Sequence, residues 1–198
     1  MVRHGQTAWN ASRRFQGQTD VPLDEEGRTQ AQALAAYLRD EPIVLAVTSD
    51  LSRARETAET ILAGRDIPLI LEPRLREMRF GAWEGLDWPQ IRERYPHLPE
   101  AGWSNPREYT PAGGESFDEV HVRVAEALVE IRERILPGQR ALFVTHAGVL
   151  HSMIHVLRPN GVPPLRFRFE TASITRVQLD GDRAELASLN ELAVGQPR

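Results

Sequence analysis

Cysteine is missing from all 198 residues, which excludes disulfide staples, thiolate nucleophiles and cysteine-ligated metals together. Lysine is missing as well: all 24 basic side chains are arginine, so no chemistry here runs through an ammonium side chain. No stretch approaches the roughly 18 apolar residues that a membrane span needs, and no charged-then-apolar leader opens the chain. Long basic runs are also lacking. With a net charge of -4 and a pI of about 5.9, nucleic acid is not an expected partner. The same negative balance mildly repels anions, so recognition of a phosphate has to come from arginines placed locally. The cytoplasm is the default compartment for such a composition.

The 41% of hydrophobic residues can bury one substantial core, and the chain reads as a single domain over 1–198. Asp24 is a reasonable N-cap, and Ala31, Leu34, Ala35 and Leu38 follow helical spacing to about Arg39. A short buried strand is expected over 43–47, after which Thr48-Ser49-Asp50 would cap a helix over 51–62 with Arg53 in its first turn. Residues 68–71 are a third strand candidate, and 74–78 an extended lead-out carrying Glu77. Ser116 would cap a long helix to about Leu136. A strand over 140–145 then ends at His146-Ala147-Gly148, followed by a helix to about Leu157. Residues 167–169 are extended, and 173–179 and 184–189 flank Asp180-Gly181-Asp182 as a hairpin. This alternation predicts a three-layer α/β/α sandwich on a mostly parallel sheet. The segment 79–115 differs in texture. It holds three of the four tryptophans and two of the three tyrosines, and reads as a small inserted lid with a short helix near 89–95.

The opening residues Val2-Arg3-His4-Gly5 run a short strand straight into a polar loop, and strand ends in open α/β sheets are where ligands bind. Either the first strand is unusually brief or the natural start lies upstream. An Arg-His-Gly triplet alone is weak evidence. It gains weight because Arg53, Glu77 and His146 each stand at the edge of another predicted element, so all can share one cleft. Two guanidiniums can each fork onto a phosphate. Two histidines allow one nucleophile and one donor. A neutral His4, held through its other ring nitrogen, would attack phosphorus and form a phosphohistidine. A cationic His146 would donate to a phosphoryl oxygen beside Arg3 and Arg53. Glu77 would protonate the departing alcohol and later deprotonate water, a role suited to a raised pKa. Helix N-termini near Arg53 and Ala147 would add backbone donors.

The segments Val2-Arg3-His4-Gly5-Gln6-Thr7-Ala8-Trp9-Asn10, Arg14-Phe15-Gln16-Gly17, Ser49-Asp50-Leu51-Ser52-Arg53-Ala54, Leu75-Arg76-Glu77, Phe80-Gly81-Ala82-Trp83-Glu84-Gly85, Gly113-Gly114-Glu115-Ser116 and Val144-Thr145-His146-Ala147-Gly148 together resemble the histidine phosphatase superfamily, in its phosphoglycerate-mutase-like branch. The resemblance implies that His4 carries the phosphoryl group, that Glu77 is the proton donor, and that Arg3, Arg53 and His146 form the phosphate pocket. Asn10, Gln16, Gly17 and Ala147 would line it for the substrate. It also implies a mixed sheet with one antiparallel strand, no cofactor and no metal. The partner is a small phosphorylated substrate; a homodimer is the assembly to test, since the sequence does not fix the oligomeric state.

Phosphoglycerate mutases of this branch carry a Glu-Arg-x-Tyr type segment after the acid glutamate, and a lysine nearby. Here the residues are Glu77-Met78-Arg79-Phe80, and lysine is absent. The chain is also short for closing over a bisphosphoglycerate and keeping water out. A phosphatase is therefore favoured, with mutase activity as the alternative. The Phe-Gly-x-Trp-Glu-Gly segment is similar to that of α-ribazole phosphatases and of broad-specificity acid phosphatases. A non-catalytic phosphate-binding module is a further alternative, which loss of the nucleophile or acid would signal; both are kept.

Bland readings compete elsewhere. Trp88, Tyr95, Trp103 and Tyr109 could stack on a substrate, but lid aromatics more often pack onto the core. Arg79, Arg92, Arg94 and Arg107 alternate with Glu84, Glu93 and Glu100, which reads as a solvated mixed-charge face. His151 and His155 have an i, i+4 spacing that can hold zinc, yet no metalloprotease glutamate accompanies them, so ordinary helix residues are expected. His97 and His121 read as surface.

Overall fold

Strand β2 (Ile43–Thr48) and strand β4 (Arg140–Thr145) run side by side in parallel, and their alternating side chains face two separate cores. Ala46, Leu142 and Val144 point to one face, where Leu34 from helix α2 (Glu25–Tyr37), its C-cap Leu38, and Ala54, Ala58 and Ile61 from helix α3 (Ser52–Leu62) cover them. Leu45, Val47 and Phe143 point to the other. There they meet Val120, Val124 and Ile131 of helix α5 (Phe117–Arg132) and Val149 and Met153 of helix α6 (Ala147–Leu157). Each fully buried Leu or Ile in these layers contributes about 1.5–3 kcal/mol. The computed structural model describes residues 1–97, 110–157, 168–181 and 183–193.

Among the described residues the sheet has six strands in the order β3-β2-β4-β1-β5-β6, with β1 at Val2–Arg3, β3 at Leu69–Leu71, β5 at Ile174–Asp180 and β6 at Arg183–Glu191. β1, β2, β3 and β4 pair in parallel, while β5 runs antiparallel to both neighbours. The expected three-layer sandwich on a mixed sheet with one antiparallel strand is therefore the fold. Among the described residues no helix is long and apolar enough to cross a membrane.

Several local expectations need correction. Thr48-Ser49-Asp50 does not cap α3: its N-cap is Leu51, without a side-chain bond, and the Ser52 N–H and hydroxyl both donate to Asp20 Oδ1. The lead-out to Glu77 is not extended throughout. Pro73–Leu75 forms a 3₁₀ turn, favoured because Pro73 fixes φ and the Glu72 carboxylate accepts the Arg74 N–H. Helix α5 ends at Arg132, short of Leu136, although Ser116 and Glu119 form the expected capping box at its start. Of the piece 167–169, residue 167 lies outside the described residues, and Phe169 is buried irregular backbone rather than strand.

Between β3 and α5, helix α4 (Trp88–Arg94) starts in a capping box of Asp87 and Gln90. Trp83 and Trp88 meet Phe15 edge-on, with ring centroids 5.6 and 4.9 Å away, so the described aromatics of this segment pack onto the chain. Tyr95 joins the same cluster. Glu100, Trp103, Arg107 and Tyr109 lie outside the described residues.

Candidate active site

Parallel pairing of Val2 with Val144 and of Arg3 with Thr145 brings two strand ends together, so His4 and His146 leave the sheet as neighbours. The His4 N–H donates to the Thr145 carbonyl at 2.9 Å, and the two imidazole centroids are 5.0 Å apart. His4 Nδ1 lies 2.7 Å from the Gly5 carbonyl oxygen. A carbonyl only accepts, so Nδ1 carries the hydrogen and Nε2 the lone pair. Behind this loop, Thr57 Oγ1 accepts the Gly5 N–H and donates to the Arg53 carbonyl, fixing the His4 turn to α3.

Both rings are buried, and burial pushes their pKa values well below 6.5; the nearby Arg53 and Arg3 push them in the same direction. Both imidazoles are therefore neutral at pH 7. This modifies the expectation of a cationic His146. A neutral ring still has one N–H to donate, and a phosphate dianion beside it raises its pKa again.

Arg53 is fully buried, yet its two terminal nitrogens donate to the backbone carbonyls of Thr19 at 3.0 Å and Gly17 at 2.8 Å. Burial lowers its pKa to about 10. Arg3 Nη1 donates to the Phe169 carbonyl at 2.5 Å. Among the described residues, Nε of Arg3, Nε of Arg53 and both ring nitrogens of His146 are buried without a hydrogen-bond partner. Buried donors left unmatched are costly, and several converging in one place suit an anion with several oxygens. Glu77 supplies the opposing charge: its field acts on both arginines. Its carboxylate accepts the Met78 N–H at 2.9 Å and the Gly148 N–H at 3.3 Å. A Cβ on Gly148 would come within 2.5 Å of Glu77 Oε1, so a side chain there would displace the carboxylate from this position. The two helix starts thus spend donors differently from expectation: α3 on Asp20, α6 on Glu77.

The other expected lining residues are placed less directly. Asn10 Oδ1 accepts the Thr7 N–H and hydroxyl, closing the capping box of helix α1 (Ala8–Ala11), and Gln16 Oε1 also accepts the Thr7 hydroxyl. Gly17 offers its carbonyl to Arg53, and Ala147 opens α6, half-buried next to His146.

One carboxylate departs from expectation, and two other side chains take roles that their sequence context does not announce. Glu84 does not belong to a solvated face. Its oxygens accept the N–H groups of Gln18, Thr19 and Phe80 and the Thr19 hydroxyl, tying the 17–19 loop to the 80–84 turn. Gly17, at φ 56°, leaves the space into which that carboxylate fits. Glu115 is buried and paired with Arg123 at 3.1 Å. The motif Gly113-Gly114-Glu115-Ser116 was the only signal for Glu115, and nothing marked Arg123. Arg79, Arg92, Glu93 and Arg94 are exposed, as expected of a charged face. His97 is exposed too, whereas His121 is half-buried with its ring 4.9 Å from His155 and its Nδ1 3.3 Å from Ser152 Oγ. His151 faces the Phe169 ring instead. Among the described residues no group of three or more His, Asp or Glu is arranged to hold a metal ion.

A family model described as histidine phosphatase superfamily (branch 1) matches residues 1–192. The chain is 39% identical over 186 residues to "Probable phosphoglycerate mutase GpmB" of Photorhabdus laumondii, covering 89% of this chain and 82% of that protein. It is 40% identical over 156 residues to "Metal-independent phosphoserine phosphatase" of Arabidopsis thaliana, covering 77% of this chain and 65% of that one. The solved α-ribazole phosphatase of Shigella flexneri superposes with a TM-score of 0.86 at 30% identity, covering 100% of this chain and 98% of that one.

Proposed function

The chain belongs to the histidine phosphatase superfamily, and on that premise we propose that it is a metal-independent phosphomonoester hydrolase that works on a small phosphorylated metabolite through a phosphohistidine. The observation that carries this reading is the state of His4: buried, neutral, protonated on the nitrogen facing Gly5, and so left with its lone pair on Nε2. In the proposed reaction Nε2 forms a bond to phosphorus as the ester P–O bond breaks, and the leaving oxygen takes its proton from Glu77, which holds that proton as the neutral carboxyl in the substrate complex. Arg3, Arg53 and His146 hold the phosphoryl oxygens and stabilise the charge that spreads over them in the transition state. Water then attacks the phosphohistidine while the Glu77 carboxylate takes its proton. The P–N bond breaks, orthophosphate leaves, and both side chains return to their starting states. Two guanidiniums supply the positive field that a metal provides in other phosphatases, and the neutral His146 ring adds an N–H donor; this supports the metal-independent reading, as does the likeness to the metal-independent phosphoserine phosphatase of Arabidopsis thaliana.

Incubation with p-nitrophenyl phosphate in EDTA tests this. Hydrolysis should proceed without added divalent metal, and His4→Ala should lower it by on the order of 10⁴-fold or more. A requirement for metal, or hydrolysis that survives the substitution, overturns the mechanism. A phosphomonoester panel of sugar phosphates, phosphoglycerates, nucleotides and α-ribazole phosphate then sorts substrates. With 3-phosphoglycerate, release of orthophosphate should outrun isomerisation, because Met78-Arg79-Phe80 and the lack of lysine leave the substrate carboxylate without the mutase-type contacts.

A further inference from the structure

Residues 77–80 carry the proposed proton donor, yet they belong to no helix or strand. Their backbone groups find no sheet ladder, so something else must fix them. That role falls to side chains outside the phosphate pocket. The Glu77 carbonyl accepts from Arg123 Nη2 and from Gln18 Nε2, both at 3.2 Å. Two residues on, the Arg79 N–H donates to Glu115 Oε2 at 2.8 Å. Two residues before, the Leu75 carbonyl accepts the Thr145 hydroxyl at 2.8 Å, and the Arg74 carbonyl accepts Arg123 Nη1 at 2.5 Å.

These contacts converge on one ion pair. Arg123 Nε and Nη2 each donate to a Glu115 oxygen at 3.1 Å, a forked pair whose side chains are only 16% and 11% exposed. Gln18 Nε2 closes the ring by also donating to Glu115 Oε2 at 3.3 Å. The planar guanidinium reaches Glu115, Arg74 and Glu77 at once, which a single ammonium cannot do. Glu115 in turn cannot be replaced by a neutral amide without turning an N–H toward the Arg79 N–H or toward Arg123. Glu115 stands just before the N-cap Ser116 of α5 and Arg123 in the second turn of that helix, which packs on the second core.

We propose that Glu115 and Arg123 are positioning residues: the forked pair sets the backbone of 77–79 and thereby aims the Glu77 carboxyl at the ester oxygen that leaves. The proposal rests on Glu77 being the proton donor. Misplacing a reacting group by about 1 Å costs about a hundredfold in rate. The loss should appear only where a proton is needed. p-Nitrophenolate, a weak base, leaves p-nitrophenyl phosphate with little help, whereas an alkoxide leaving an alkyl phosphate needs the proton.

The test measures kcat/KM, which reports events through formation of the phosphoenzyme, on p-nitrophenyl phosphate and on glycerol 3-phosphate. Glu77→Gln is the reference and should depress the alkyl ester far more than the aryl ester. If it does not, the assignment of Glu77 fails rather than the positioning claim. Given that reference, Glu115→Gln and Arg123→Lys should each lower the alkyl ester by about a hundredfold while leaving the aryl ester nearly untouched. Arg123→Lys keeps the charge and loses the fork, so full activity in that variant overturns the claim. Equal losses on both esters overturn it as well, because they mark a general structural role. Should either variant fail to fold, Gln18→Ala decides the matter: it removes two weaker bonds of the same ring. A smaller loss confined to the alkyl ester supports the proposal, and a loss equal on both esters, or none, overturns it.

Discussion

The two halves of the candidate site are held by opposite charges. On the strand-end side, cations rest on carbonyl oxygens: the buried Arg53 on Gly17 and Thr19, the half-buried Arg3 on Phe169. On the loop side, carboxylates gather backbone N–H groups: Glu77 those of Met78 and Gly148, Glu84 those of Gln18, Thr19 and Phe80, Glu115 that of Arg79. The cations keep unmatched donors and stay desolvated, which is costly in the free protein and useful once an anion arrives. The carboxylates, among the groups just named, are matched. One half therefore stores a binding capacity, and the other fixes the chain around it.

Substitutions in the two halves should therefore fail in different ways. Arg3→Met removes a cation whose pKa burial lowers and which repels Arg53. It should lower kcat/KM for any phosphomonoester by about 10²–10³-fold while leaving the melting temperature unchanged or raised. A large fall in melting temperature would mean that Arg3 is a structural cation and would erase the contrast. Glu84→Gln should do the reverse. One of its oxygens becomes an NH₂ facing N–H donors from the 17–19 loop or from Phe80. The mismatch should cost about 2 kcal/mol. For a domain of this size the melting temperature then falls by about 4–8 °C. The loss in kcat/KM should be far smaller than for Arg3→Met, and thermal unfolding beside a phosphatase assay measures both.

The same contrast explains what could be read from the sequence. His4, Arg53 and His146 were legible because each follows or opens an element with a strong periodic signal, and strand ends in parallel sheets converge. The central strands and the hairpin at Gly181 were legible for the same reason. Glu84 and Arg123 were not. A glutamate among arginines in a polar stretch has the composition of a solvated face, and only the fold brings the Gln18 and Thr19 N–H groups to it from 65 or 66 positions away. Arg123 sits on a helix whose apolar spacing is satisfied without it; its partners Arg74 and Glu77 come from another element. The cap of α3 was misassigned on similar grounds, since local Ser49 and Asp50 were available but distant Asp20 takes the bond.

The smallest expected effect concerns pH, and it separates the two halves by window. His4 and His146 have pKa values well below 6.5 in the folded protein, first through burial and then through the arginines. The unfolded chain binds those protons more readily, so stability is complete above about pH 6.5 and is lost as pH falls below it. Each ring contributes a slope of at most about 1.4 kcal/mol per pH unit. The ion-paired carboxylates behave otherwise. Arg76 holds Asp50, and Arg74 holds Glu72, below their ordinary values of 3.8 and 4.5, so their share is lost only at lower pH. Urea unfolding between pH 6.5 and 4.5 should therefore report the imidazoles together with the Met1 amine, whose pKa burial lowers to about 5. His146→Asn should flatten that slope by one ring's share, and orthophosphate, by drawing protons onto the rings in the folded state, should flatten it as well. A wild-type protein with no slope in this window would have both rings in contact with water, and the cation half of the site would then hold no desolvation for an anion to relieve.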